Sequence, residues 1–158
     1  MADYFASGEQ TLTSTADSAL AVYSGTAGNR TKVYEINFGN VGTPADLTSI
    51  YLFGQITSSG AGTSVTSSKV DPADGTGASL ALSNLTTEPT YTNTIVALNT
   101  PAAGDLLRVP LNHRGTYRWV APPGGELVAP ATSLNGIAGK SDHASAVTDY
   151  MVGFHWRE

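Results

Sequence analysis

From Tyr150 onward, large apolar side chains fall on every second position, with Tyr150, Val152, Phe154 and Trp156 alternating with Met151, Gly153, His155 and Arg157. A two-residue period belongs to a strand with one buried face, so the segment predicts a β-strand that ties the C-terminus into a sheet. A second alternating run, Lys32 to Phe38, sets Tyr34, Ile36 and Phe38 on one side and Val33, Glu35 and Asn37 on the other, and predicts a half-buried strand. Ser49 to Ile56 is apolar on both faces, short, and followed by Ser, Gly and Thr, which fits a central strand better than a helix. Between these runs, Gly39 to Asp46 supplies a turn.

Further strands are predicted over Ala19 to Tyr23, Thr63 to Val70, Thr94 to Leu98, Leu106 to Pro110, Gly115 to Val120 and Glu126 to Ala131. Strands that recur about every ten residues, separated by Gly, Pro, Asn and Asp, mark an antiparallel β-sandwich or barrel. Only Asp74 to Leu85 has the Ala and Leu content of a helical turn, and Gly75 and Gly77 weaken it. Neither a composition shift nor an internal repeat divides the chain. The expectation is one all-β domain over 19–158, preceded by an N-terminal arm or first strand over 1–18.

In Gly115 to Val120, Tyr117 and Trp119 alternate with Thr116, Arg118 and Val120, which assigns the two aromatics to the core. Tyr150, Phe154 and Trp156 are assigned there as well. Pro122 and Pro123 end the strand because neither donates a ladder hydrogen bond, and Gly124 and Gly125 permit a tight return, so a hairpin or a sheet-switching corner is expected.

Composition narrows the function classes. Charged residues make up 13% of the chain, about half the usual share, and hydroxyl and small residues replace them, giving a neutral surface that desolvates at little cost. The net charge of −5 and the scattered cations argue against nucleic-acid binding, which draws on clustered Lys and Arg. With no cysteine there is no disulfide framework and no Cys-ligated zinc. The start of the chain lacks a signal-peptide pattern and no run reaches the roughly 18 apolar residues of a membrane span. Synthesis in a cytoplasm and no membrane partner are expected. The two sequons, at Asn29 and Asn84, read as chance in a Thr-rich chain.

Candidate chemistry is sparse. His113, His143 and His155 have no metal-ligand spacing and read as separate surface or interface histidines. Asp71-Pro-Ala-Asp-Gly lacks the alternating acids and terminal Glu of an EF-hand and reads as a turn in which Asp side chains bond nearby backbone N–H groups. Gly25 to Arg30 lacks the Lys-Ser/Thr of a phosphate loop, and no Gly-x-Ser-x-Gly elbow supports a Ser-His-Asp nucleophile. No catalytic residue, metal or cofactor is assigned. Candidate contact residues are Arg108, Arg114 and Arg118, read as crowding near Glu126 in either intersubunit or intramolecular ion pairs. Tyr4 and Phe5 join them, because adjacent aromatics in a polar stretch either close the end of the core or anchor an arm on a partner.

Several segments resemble a family of capsid decoration, or cement, proteins of tailed bacteriophages. The resemblance rests on Arg30 to Asn40, Gly42-Thr-Pro-Ala-Asp46, Asp71 to Asp74, Glu88-Pro-Thr-Tyr-Thr92, Asn112 to Thr132 and Asn135-Gly-Ile137. Within it, Arg114-Gly-Thr-Tyr-Arg-Trp-Val120 followed by Pro123-Gly-Gly-Glu-Leu127 is the most distinctive part. The resemblance implies a jelly-roll-like β-sandwich on the outside of an icosahedral head, a homotrimer whose partner is the major capsid protein, and no catalysis. A tail or connector component and a carbohydrate-binding adhesion module, with Trp119, Trp156 and the tyrosines as stacking platforms, are the other expectations the sequence leaves open.

Overall fold

The computed structural model describes residues 2–11, 18–42, 46–92, 105–142 and 149–158. Among these residues there are thirteen strands and no helix. In chain order they are β1 (Asp3–Thr11), β2 (Ser18–Ser24), β3 (Lys32–Val41), β4 (Thr48–Ser58), β5 (Ala61–Val65), β6 (Ser68–Lys69), β7 (Ser79–Thr87), β8 (Thr90–Tyr91), β9 (Asp105–Asn112), β10 (Thr116–Val120), β11 (Leu127–Val128), β12 (Gly136–Asp142) and β13 (Asp149–Arg157). The predicted Thr94 to Leu98 strand, His143 and the 43–45 part of the predicted turn lie outside the described residues.

The strands form two antiparallel sheets that face each other as a sandwich, so the all-β architecture read from the sequence is the observed one. The first sheet runs β10-β3-β13-β1-β6, with β11 also on β3, and the second runs β5-β7-β2-β12-β4-β8, with β9 also on β4. The frequent passage of the chain from sheet to sheet is compatible with a jelly roll. β1 pairs with β13 along its whole length, from Asp3 opposite Arg157 to Thr11 opposite Asp149. Of the two expectations for the N-terminal segment, the first-strand one holds for Asp3–Thr11, which β13 flanks along its whole length and β6 at Tyr4 and Phe5.

The core between the sheets is aromatic. Phe38 lies 4.9 Å from Tyr51 and 5.0 Å from Phe53, ring centre to ring centre, and Phe53 meets Phe154 edge-on at 6.0 Å. Tyr150, Phe154 and Trp156 are wholly buried on the inward face of β13. Burial of each such phenylalanine stabilises the fold by about 1.5–3 kcal/mol. Gly139 makes room for this layer, since a Cβ there would stand 2.7 Å from Phe53 Cε1.

Four local predictions are corrected. Asp74 to Leu85 contains no helical turn: after a turn at Asp71 to Asp74, Ser79 to Thr87 form β7, in which Ser79, Ala81 and Ser83 face inward at a two-residue period. Tyr34 does not share a face with Ile36 and Phe38. The β3–β13 register slips between His155 and Trp156, so Val33 enters the core and Tyr34 turns outward. Tyr117 is 39% exposed, because β10 is an edge strand with a neighbour on one side only, although its ring still lies 5.4 Å from Phe38; Trp119 is half-buried against the core.

The Pro-Pro-Gly-Gly segment forms neither a hairpin nor a sheet-switching corner. Ala121 N–H donates to the Tyr34 carbonyl at 2.8 Å and Ala129 N–H to the Thr31 carbonyl at 2.9 Å, so the chain leaves the edge of β3 and returns to it in the same direction. The loop between them closes with Gly125 N–H on the Pro122 carbonyl at 2.8 Å, and Gly124 takes φ 78°, the position where a type II turn needs glycine. The extrusion splits the edge into pieces of five and two residues, lengths that discourage pairing with another sheet.

Candidate interaction surface

The side chains singled out as contacts do not converge. Tyr4 points into the core, 3% exposed, stacked 5.8 Å from Trp156, and its hydroxyl donates to the Gly75 carbonyl at 3.0 Å. Arg108 pairs with Asp105 on β9 of the second sheet, at 3.0 Å from Nε. Arg114 lies in the turn before β10, 3.4 Å from Asp46 and well exposed. Arg118 binds Glu35 through two hydrogen bonds of 2.8 and 3.0 Å. No ion pair joins Glu126 to an arginine among the described residues, so the expected crowding around Glu126 is absent. Sequence proximity misled here because β9 and β10 belong to different sheets.

Only Phe5 and Arg118 share a surface, the outward face of the first sheet. Strand register lays out this face in rows: Val120, Glu35, His155 and Phe5; then Arg118, Asn37, Gly153 and Ser7; then Thr116, Gly39, Met151 and Glu9. At one end Phe5 packs 4.5 Å from His155, and the Arg157 guanidinium lies 4.5 Å from the centre of the Tyr34 ring and 3.5 Å from Asp3. In the middle, the hydrogen bonds from Arg118, aided by one from Asn37 at 3.2 Å, hold the Glu35 carboxyl down at about 2. Glu35 is thus ionised and neutralised within the face.

At the other end a cavity of about 330 Å³ opens around Gly39, walled by Asn37, Val41, Thr116, Arg118 and Met151. A Cβ on Gly39 would stand 2.8 Å from Thr116 Cγ2, so the cavity depends on glycine at this position. The contributions of Tyr34, Glu35, Gly39 and Met151 were missed in the sequence. Gly39 was expected to open the turn to Asp46 but continues β3, which runs to Val41; a glycine inside a strand marks either a bulge or a close approach.

Two other polar constellations are structural. Ser49 Oγ meets His113 Nε2, a nucleophile-and-base pairing, but the residues are 3% and 1% exposed and lie beneath the surface. Asn40 extends the contact by donating to the His113 carbonyl at 2.9 Å and accepting from Tyr51 at 3.1 Å, which fastens the β9–β10 turn to β3 and β4. On the outward side of the second sheet, Ser18 donates from N and Oγ to the Glu88 carboxylate at 2.9 and 2.6 Å, Tyr91 lies 3.0 Å from the same hydroxyl, and the Lys140 ammonium sits 4.7 Å from the Tyr91 ring centre. Burial pushes the Tyr91 hydroxyl far above its ordinary range. Asp71 forms the expected turn, its carboxylate accepting from Ala73 N–H at 2.9 Å. No cluster of three or more His, Cys, Asp or Glu suited to a metal occurs among the described residues, and none of the helices needed for a helical membrane span is present there.

No protein-family model, curated protein or solved structure matches the chain.

Proposed function

We propose that the protein is a noncatalytic decoration protein that binds the exterior of a tailed-bacteriophage head and stabilises it, with the major capsid protein as partner and a homotrimer as its working form. The observation that carries this reading is the resemblance in Arg114 to Leu127, a segment that folds as the outer edge of a sandwich with its loop extruded from the surface. The chemistry of the surface supports it. Exposed charges are few and several are closed on one another, as in Arg118 with Glu35 and Arg157 with Asp3, which suits broad contact with another protein. Three weak contacts in one rigid trimer gain avidity at a local threefold position of a shell. Binding to the assembled shell alone then stabilises it by about 3–4 kcal/mol per site at roughly 100 to 1,000 times the dissociation constant.

The test mixes the purified protein with heads from the phage that encodes it, grown without this gene. Symmetric copies on the heads and a higher head-disruption temperature are expected. Heads that take up no protein refute the reading. Trp156 is wholly buried and offers no stacking platform for a sugar, so the adhesion reading gains nothing from it.

A further inference from the structure

We infer that residues 67–77 form a strap that opens as a unit while the rest of the sandwich stays folded, and that the Glu158 carboxylate is its latch. This holds whatever the protein binds. The strap leaves β5, lies beside the start of β1 and Glu158, and returns into β7. A surface segment is held by buried apolar side chains or by hydrogen bonds, and this one has only the second. Residues 68–73 are all exposed, Val70 stands 55% in solvent, and no residue of the strap belongs to the hydrophobic core. Ordering the strap costs chain entropy with no hydrophobic gain in return, so it opens more easily than the strands beneath it.

The bonds fall into two groups. Along β1, Lys69 pairs with Tyr4 and Ser68 with Phe5, Val70 N–H donates to the Asp3 carbonyl at 2.9 Å, Asp3 N–H donates to the Asp74 carboxylate at 3.4 Å, and the Tyr4 hydroxyl donates to the Gly75 carbonyl at 3.0 Å. Where the strap returns, the Glu158 carboxylate accepts from Ala78 N–H at 2.8 Å and from Ser79 N–H at 2.7 Å, and Glu158 N–H is itself tied to the Ala2 carbonyl at 3.2 Å. The two bonds to the Glu158 carboxylate are the shortest of the set and are charge-assisted, hence the strongest. Opening stops at fixed points: β5 on β7 at one end, and at the other the Ala78 carbonyl on Gly25 N–H at 3.0 Å and the Ser79 and Thr31 hydroxyls, 2.7 Å apart. As the strap lifts, the Tyr4 ring loses the cover of Gly77, where a Cβ would stand 3.0 Å from Tyr4 Cζ, and β1 bares its edge at Tyr4 and Phe5.

Trypsin reads the opening at Lys69, the one lysine or arginine in the strap, whose following peptide bond is shielded by the β6–β1 pairing while the strap is shut. When reclosing outpaces cleavage, the cutting rate follows the open population. Wild type, Glu158→Ala and Glu158→Gln are digested and the fragments followed by mass, with hydrogen exchange of the Val70, Ala78 and Ser79 amides measured alongside. Glu158→Ala is expected to be cut after Lys69 about tenfold or more faster than wild type, and Glu158→Gln at a rate in between because it keeps one acceptor oxygen. Cleavage after Lys140, 8% exposed in β12, should change by less than about twofold. The Val70 amide, which Glu158 does not touch, should exchange faster in Glu158→Ala together with those of Ala78 and Ser79. A wild-type rate after Lys69 in Glu158→Ala overturns the latch. Faster exchange at Ala78 and Ser79 with none at Val70 overturns opening as a unit, and equal acceleration after Lys69 and Lys140 shows that the strap belongs to the cooperative core.

Discussion

The outward faces of the two sheets are built on opposite terms. That of the second sheet is closed over its middle, where Ala21, Ile56, Leu85 and Ala138 form an apolar cluster and Ser18, Glu88, Tyr91 and Lys140 close their polar groups beside it, while Leu80 on β7 remains 49% exposed. That of the first sheet stays half open, with aromatics and ion pairs lying across the strands and apolar side chains standing in solvent. The contrast shows which part of the surface the fold depends on and which part it leaves exposed. A buried face loses free energy with every atom removed, whereas an open one is free to vary unless a partner covers it.

Truncation breaks or sharpens that contrast most directly. Ile56→Ala, at a wholly buried position of the second sheet, is expected to lower the unfolding free energy by about 2–5 kcal/mol in a denaturant titration. Next comes Glu88→Ala, which strips the buried Ser18 N–H and hydroxyl of their acceptor and is expected to cost about 1–3 kcal/mol in the same measurement. Val120→Ala, 52% exposed on the first sheet, should change stability by no more than about 0.5 kcal/mol; a loss equal to that of Ile56→Ala would show that the two faces are alike after all.

The smallest effect belongs to acid titration. The Glu35 carboxyl is held down at about 2 from its ordinary 4.5, so its contribution is fully present above pH 4.5 and is lost as pH falls through about 2. Comparing wild type with Glu35→Gln across this window, the stability difference should be constant above pH 4.5 and vanish near pH 2. A difference that does not change with pH would mean that Glu35 carries no charge-dependent role in the open face. Exposure of Arg118 keeps the whole contribution small.

Periodicity made the main strands legible. β13 and β4 were readable because one alternates and the other is apolar throughout, which suits a half-buried and a doubly buried strand in turn. β12 escaped because Gly136-Ile-Ala-Gly-Lys-Ser-Asp142 has neither alternation nor bulk; its small residues are needed where it lies between β2 and β4. The candidate surface was barely legible. Arg118 and Phe5 were noticed as residue types, but their common face is set by pairing between segments far apart in the chain, Arg118 with Asn37 and Phe5 with His155.

By itself the sequence determined the class of fold, the aromatic inward side of the last strand and the turn at Asp71, since each follows from local period or from the turn chemistry of Asp and Pro. Only the tertiary structure decided that the N-terminal segment pairs with the last strand, that one slipped pair turns Tyr34 out and Val33 in, and that the Pro-Pro-Gly-Gly segment returns to the strand it left. These are questions of which strand lies beside which. Hydrogen-bonded ladders form across long separations, and a shift of one residue reverses every face, so no stretch of local sequence holds the answer.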